Sequence, residues 1–316
     1  MADLAVVLAG LELRNPILSA SGTFGHGLEM RHLVPPATVG GLVSKTVTLL
    51  PRPGNPMPRL AETEAGLLNS IGLENRGLDA YLEETLPEMR AADTVVVTNI
   101  GGSSVADFAR LAERLDERDE VDALEVNLSC PNVDGGKLPF STDPDVARRT
   151  IRAVREVTKK PVLAKLSPNV TRIADIALAV RDGGADAITA VNTVLGMAVD
   201  WRRRRPGLNT VQGGYSGVGI KPIALRCAWE CARAVDLPIV GCGGISTADD
   251  VLEFIVAGCT AVQVGTACFG DPALLGRLAG EVAARLDGAG VAAVGELIGA
   301  LREPGEPTRE VLRAAT

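Results

Sequence analysis

Residues 238–267 read PIVGCGGISTADDVLEFIVAGCTAVQVGTA. The apolar run Pro238–Cys242 breaks at Gly243-Gly244, and Ser246 with Asp249 three residues on forms a capping box. Val251, Leu252 and Ile255 follow at helical spacing. Ala261–Gly265 is then a second apolar run, closed by Thr266. Strand, glycine turn, capped helix and strand make a βα unit feeding the next one, and the same rhythm extends in both directions. Ile17–Ala20, Gly41–Lys45, Val95–Ile100, Ala123–Leu128, Val162–Leu166 and Ala187–Asn192 are runs of the same kind, which makes eight candidate strands. Ser103 or Ser104 caps a stretch carrying Val105, Phe108, Ala109, Leu111 and Leu115. Asp143-Pro144 opens another with Ile151 and Val154, and Gly183-Gly184 stops Ala174–Arg181. With no Pro/Ser-rich linker or charge-run boundary, this predicts an α/β fold, a single (β/α)8 TIM barrel occupying residues 1–316 as one domain. An open doubly wound sheet is the competing architecture. The runs Leu4–Leu8 and Leu11–Leu13 around Gly10 predict an N-terminal β-hairpin at the barrel floor. Three long connections, roughly 46–80, 129–144 and 193–222, are where a barrel builds its active face.

Composition narrows the function. Thirty-two Lys plus Arg against thirty-nine Asp plus Glu give a net charge of −7, which leaves no surplus for a general nucleic-acid-binding surface. A 46% hydrophobic, 22% charged chain holds a substantial core, so disorder is excluded as its main state. The start, MADLAVVLAGLELRNP, lacks the pattern of a secretory signal, and the cytoplasm is the expected location. Phe254–Gly270 is uncharged but interrupted by Gly258, Thr260, Gln263, Gly265 and Thr266, so it reads as buried strand plus turn and no membrane span is expected. The cysteines at 130, 227, 231, 242, 259 and 268 contain no CxxC pair, so an iron–sulfur centre serving this chain must sit on another one. Cys227 and Cys231, four apart on a predicted helix, read as small buried hydrophobes. His26 and His32 fall in one early segment, and no Ser-His-Asp set can be assigned.

The strand ends carry the chemistry. They are Lys45-Thr46, Asn99, Asn127 to Cys130, Lys165, Asn192-Thr193, Gly243-Gly244 and Gly265-Thr266. Singly, an Asn there is a turn residue and a Lys points to solvent. Gathered on one face, two lysines, three asparagines and a cysteine suit a ligand rich in carbonyls, ring nitrogens and negative charge. The two glycine turns, with the helix start at Ser246, make a phosphate site for a substrate or a cofactor. Cys130 heads VNLSCPNVDGGKLPF (126–140), a glycine-containing loop able to close over a site. With Asn127, Ser129, Pro131 and Asn132 around it, Cys130 reads as the chemical cysteine and the other five as packing.

The segments SASGTFGHG (19–27), SKTVTL with RPGNPMPRLAETEAGLLNSIGL (44–73), NLSCPNV (127–133), AKLSPN (164–169), AVNTVLGM (190–197) and GGYSG (213–217) join GCGGIS and VGTA. Together they resemble dihydroorotate dehydrogenase of class 1, type B, from residue 4 to about 300. The resemblance implies one FMN per chain, its phosphate on Gly243, Gly244, Gly265 and Thr266. Ser21, Lys45, Thr46, Asn99, Asn127, Lys165, Val191 and Gly217 would line the flavin, with Lys165 stabilising the charge gained on reduction. Dihydroorotate would be held by Lys45, Asn69, Ser70, Ile71, Gly72, Leu73, Asn127, Asn192 and Thr193. Cys130 would be the general base at ring carbon 5 while hydride leaves carbon 6 for flavin N5. An ordinary thiol pKa of about 8.5 leaves open how Cys130 is activated.

The resemblance further implies a step of pyrimidine (UMP) biosynthesis, with a homodimer core in a heterotetramer. Its partner subunit would carry FAD and a 2Fe–2S cluster and pass electrons to NAD. No metal site is implied on this chain. A type A homodimer using fumarate is the nearest alternative, and class 2 membrane enzymes are disfavoured by the missing anchor and by Cys at the base position. Two other classes compete. A non-flavin phosphate-binding barrel lyase or isomerase explains the glycine turns but not Cys130, and a silent scaffold barrel predicts no ordered polar strand ends. One departure is the run Arg202–Arg205 after Trp201, read as a solvated loop or as a contact for an acidic partner or a subunit.

Overall fold

Buried runs of Val, Ile, Leu and Ala pair side by side in the computed structural model, which describes residues 1–130, 140–302 and 304. The strands are β1 (Val6–Leu8), β2 (Leu11–Leu13), β3 (Ile17–Ser19), β4 (Gly41–Val43), β5 (Leu60–Thr63), β6 (Gly66–Asn69), β7 (Val95–Ile100) and β8 (Ala123–Asn127). There follow β9 (Val162–Leu166), β10 (Ala187–Ala190), β11 (Val194–Met197), β12 (Val199–Asp200), β13 (Arg205–Pro206), β14 (Gln212–Ser216), β15 (Ile239–Cys242) and β16 (Ala261–Val264). Strands β3, β4, β7, β8, β9, β10, β15 and β16 form a closed parallel barrel in that order. Each falls within one of the eight predicted runs. The closing pair, Val262 with Ile17 through Val264 with Ser19, removes the edges an open sheet would leave.

Helices Val105–Asp116, Pro144–Arg155, Ile173–Gly183, Lys221–Ala234, Ala248–Val256 and Leu274–Gly288 cover the outside. The first crossover holds only the 3-10 turn Pro36–Thr38, because Pro35-Pro36 cannot continue an α-helix. Of the two predicted caps before Val105 it is Ser104 that accepts from the Asp107 N–H, and Asp143 accepts from the N–H groups of Asp145 and Val146. Gly184 ends its helix in the left-handed region. The predicted box of Ser246 with Asp249 is displaced by one residue. Thr247 adopts the extended cap conformation and exchanges bonds with Asp250, while Ser246 donates to Asp250 through its N–H and hydroxyl at 2.9 and 3.0 Å.

The hairpin forms as predicted, with Val6 opposite Leu13 and a two-residue turn in which Ala9 and Gly10 both have positive φ. It enters β3 from its N-terminal side, at the end of the barrel away from the strand C-termini, and Val6, Leu8 and Leu13 join the buried core. Phe254, fully buried, packs so closely on β15 that a Cβ on Gly241 would lie 2.3 Å from its ring. Phe254→Ala therefore lowers stability by about 3–5 kcal/mol, read as a lower urea midpoint at unchanged slope.

Two of the three long connections hold strands of their own. Those at 46–80 and 193–222 pair into one antiparallel sheet in the order β11-β14-β6-β5, with Gly214 opposite Asn69. Residues 131–139 of the third, including Pro131, Asn132 and the predicted closing glycines, lie outside the described residues. Its ends are braced by Phe140 N–H to Cys130 O at 3.3 Å and Ser141 N–H to Leu128 O at 2.9 Å. Arg202–Arg204 form an exposed turn between β12 and β13 and Arg205 opens β13, with Arg202 4.5 Å from the Trp201 ring centre and Arg203 paired with Asp200. Among the described residues no helix is long and apolar enough to cross a membrane.

Candidate active site

A cavity of about 620 Å³ opens at the C-terminal ends of the barrel strands, and the four-stranded sheet supplies part of its wall through Leu60, Leu67, Asn69 and Ser216. The turns after β15 and β16 contribute to its lining. Gly243, Gly244, Gly265 and Thr266 all line it. Gly244 has φ +76°, and a Cβ there would sit 2.6 Å from the backbone nitrogen of Lys221 at the start of a helix. Thr266 Oγ1 donates to Ser216 Oγ at 2.8 Å, tying this turn to the sheet wall next to Gly217.

Lys45, Thr46 and the segment Asn69–Leu73 also line the cavity. Burial holds Lys45 below the ordinary lysine value, Glu74 pulls it back and Arg59 adds to the depression. Asn127, Val191, Asn192 and Thr193 line it as well. Asn192 Nδ2 donates to Asn127 Oδ1 at 3.2 Å, and the Thr193 N–H to Asn192 Oδ1 at 2.8 Å, so both amide planes are fixed. Ser70 and Ser129 also line the cavity, and each has a buried hydroxyl without a hydrogen-bond partner among the described residues.

Cys130 lies in the same wall and is 2% exposed. A Cβ on Gly101 would be 3.1 Å from its Sγ and 2.7 Å from the Thr46 methyl, which places thiol and threonine around one glycine. Burial pushes the thiol up to about 12, against the pull of the Gly102 N–H and the Arg52 charge. Such a group is a thiol at neutral pH and a base only in the small thiolate fraction.

Lys165 forms the floor, not the rim that sequence suggests: its Nζ donates to Gln263 Oε1 at 2.7 Å and, at 3.4 Å, to Ser21 Oγ and to Glu125 Oε1. Burial works against its charge, yet attraction to Glu125 holds it above the ordinary lysine value. Ser21 lines the cavity beside it. Asn99 is the predicted site residue that does not. It pairs with Glu125 across β7 and β8 and donates to that carboxylate at 2.6 Å, leaving a buried Oδ1 without a partner among the described residues.

Sequence reasoning missed Glu125, Gln263 and Thr189. A charge inside ALEVN and an amide inside AVQV were the available signals, since polar residues inside buried strands need partners. It also read Cys242 as packing. As the last residue of β15, Cys242 in fact lines the cavity.

The family model for dihydroorotate dehydrogenase matches residues 3–286. The chain is similar to a Geobacter sulfurreducens protein named dihydroorotate dehydrogenase B (NAD(+)), catalytic subunit, at 51% identity over 95% of this chain and 98% of that one. A Geobacter metallireducens protein of the same name is 49% identical over the same shares. Among solved structures, dihydroorotate dehydrogenase from Eimeria tenella in complex with ferulenol superposes with a TM-score of 0.79 at 25% identity, over 94% of this chain and 88% of that one.

Proposed function

The chain belongs to the dihydroorotate dehydrogenase family, and from that premise we propose that its cavity holds FMN and oxidises dihydroorotate to orotate for pyrimidine biosynthesis, with Cys130 as general base. The observation that carries the reading is the convergence of Cys130, Lys45, Lys165, Asn127 and Asn192 on one cavity.

The residues present fit the cofactor. Gly243, Gly244, Gly265 and Thr266 offer close backbone approach for a phosphate, and Lys165 offers a cation for the pyrimidine end of the ring. Ser21, Lys45, Thr46, Asn127, Val191 and Gly217 complete the wall, and the buried hydroxyls of Ser70 and Ser129, without a partner among the described residues, are polar groups in that wall still to be satisfied. Bound there, FMN supplies the acceptor for the hydride leaving ring carbon 6. The chain's own residues do the rest. Lys45 and the Ser70–Leu73 backbone take the substrate carboxylate, while Asn69, Asn127, Asn192 and Thr193 read its ring carbonyls and N–H groups. Cys130 Sγ accepts the proton from ring carbon 5.

For the electrons we favour NAD, reached through a second subunit carrying FAD and a 2Fe–2S cluster in a cytoplasmic heterotetramer built on a homodimer of this chain. The names of the Geobacter relatives, with NAD(+) and catalytic subunit in them, support this over direct fumarate reduction. Purified protein is expected to show the visible absorption of oxidised flavin and to bleach when dihydroorotate is added without oxygen. A colourless protein with no affinity for FMN overturns the reading. Co-purification of an iron–sulfur flavoprotein supports the NAD route, and an active homodimer reducing fumarate replaces it.

A further inference from the structure

We propose that Glu125 is a positioning residue, which holds the Lys165 side chain fixed and charged in the floor of the cavity. The proposal rests on the reading that a flavin lies over Lys165. Glu125 stands in the middle of β8 and is fully buried. A carboxylate there is tolerable only if it is well paired. Donors reach it from four other strands: Asn99 Nδ2 on β7 at 2.6 Å, Lys165 Nζ on β9 at 3.4 Å, Thr189 Oγ1 on β10 at 2.8 Å and Gln263 Nε2 on β16. Four donors match the capacity of a carboxylate, which only accepts. Gln263 closes the ring, because its Oε1 takes a bond from Lys165 while its Nε2 gives one to Glu125.

The other titratable group felt by both is Cys242 on β15, whose thiol burial keeps neutral, with Glu125 adding to that and Lys165 opposing it. Among the described residues Glu125 is thus the anion that compensates Lys165. Removing it leaves the burial of the ammonium unopposed, so Lys165 gives up its proton at lower pH. The charge available to a reduced flavin then becomes pH-dependent.

A double-mutant cycle of Glu125→Gln and Lys165→Met tests this with two readouts. In urea denaturation of the flavin-free protein, each single variant is expected to lower the midpoint and the double variant to regain most of the loss, because it buries no unpaired charge. Simple addition of the two losses overturns the proposal. For bound FMN, Lys165→Met is expected to lower the midpoint potential at every pH from about 6 to 9. Glu125→Gln should lie at or above the parent at the acid end, where the anion is gone and Lys165 keeps its charge, and fall relative to the parent as pH rises and Lys165 loses its proton. A Glu125→Gln curve parallel to the parent throughout overturns it as well. Should Glu125→Gln fail to fold, Glu125→Asp, which keeps the charge but withdraws it by one methylene, is expected to shift the potential less in the same direction, and no shift sinks the proposal. A parent that binds no FMN fails the functional reading and the proposal with it, and the urea cycle then reports an ion pair of purely structural value.

Discussion

Replacing Cys130 by Ser is expected to slow anaerobic reduction of the bound flavin by dihydroorotate by roughly 10²- to 10⁴-fold, the ordinary contribution of a positioned general base, while FMN content stays at the parent level. The hydroxyl fits the space of the thiol beside Gly101 and Thr46, so the loss falls on proton removal and not on the cavity. The pH dependence follows from burial. Because the thiol is pushed up to about 12 in the free site, its thiolate fraction grows with pH, and the reduction rate of the parent should climb by up to about tenfold per pH unit on the acid side of the operative pKa. The Gly102 N–H and Arg52 lower that pKa, so the climb levels off below the value burial alone would set. Stopped-flow bleaching across pH settles both points. A serine variant as fast as the parent, or a parent rate flat in pH, removes Cys130 from the role of base.

How far the sequence reaches depends on what each feature needs. The barrel strands were legible because a strand buried on both faces must be an apolar run, and Ile17–Ser19, Val95–Ile100 and Val162–Leu166 are such runs bounded by turn residues. The site was legible where function sits at the strand ends, since the barrel brings those ends together whatever the loops do. What failed to show were features set by pairing between distant segments. Nothing local in GGYS reveals that it pairs with LLN to form the cavity wall, because each segment lacks a partner until the barrel sets them side by side. Asn99 ends no strand: β7 runs on to Ile100, and the Asn99 amide meets Glu125 on the neighbouring strand. Ser246 and Thr247 are equivalent as letters, and only the extended backbone at Thr247 decides which one caps.

The glycine at position 244 offers the second large effect. Gly244→Ala is expected to yield a folded protein that loses FMN on gel filtration. Two penalties combine. The residue has φ +76°, where an L side chain costs about 1–2 kcal/mol. Its Cβ would also lie 2.6 and 2.7 Å from the backbone nitrogen and Cα of Lys221, an overlap of a kind that costs about 1–3 kcal/mol. The helix start cannot step aside cheaply. Lys221 Nζ is held by Asp250 at 2.6 Å and Glu253 at 2.9 Å, and Asp250 in turn binds the N–H groups of Ser246 and Thr247 at the next helix start. The turn itself must move, and with it the backbone that would meet the phosphate. If about 2 kcal/mol or more of this falls on the bound state, the dissociation constant of FMN rises roughly 30-fold or more. Gly280→Ala is the matched control. It lies on the exposed side of the helix Leu274–Gly288 with nothing within 4 Å of the added carbon, and it should leave FMN affinity unchanged while adding up to about 1 kcal/mol of stability. Titration of flavin-free protein with FMN, followed by quenching of flavin fluorescence, reads the contrast. Parent affinity in Gly244→Ala would show that the turn after β15 does not carry the phosphate.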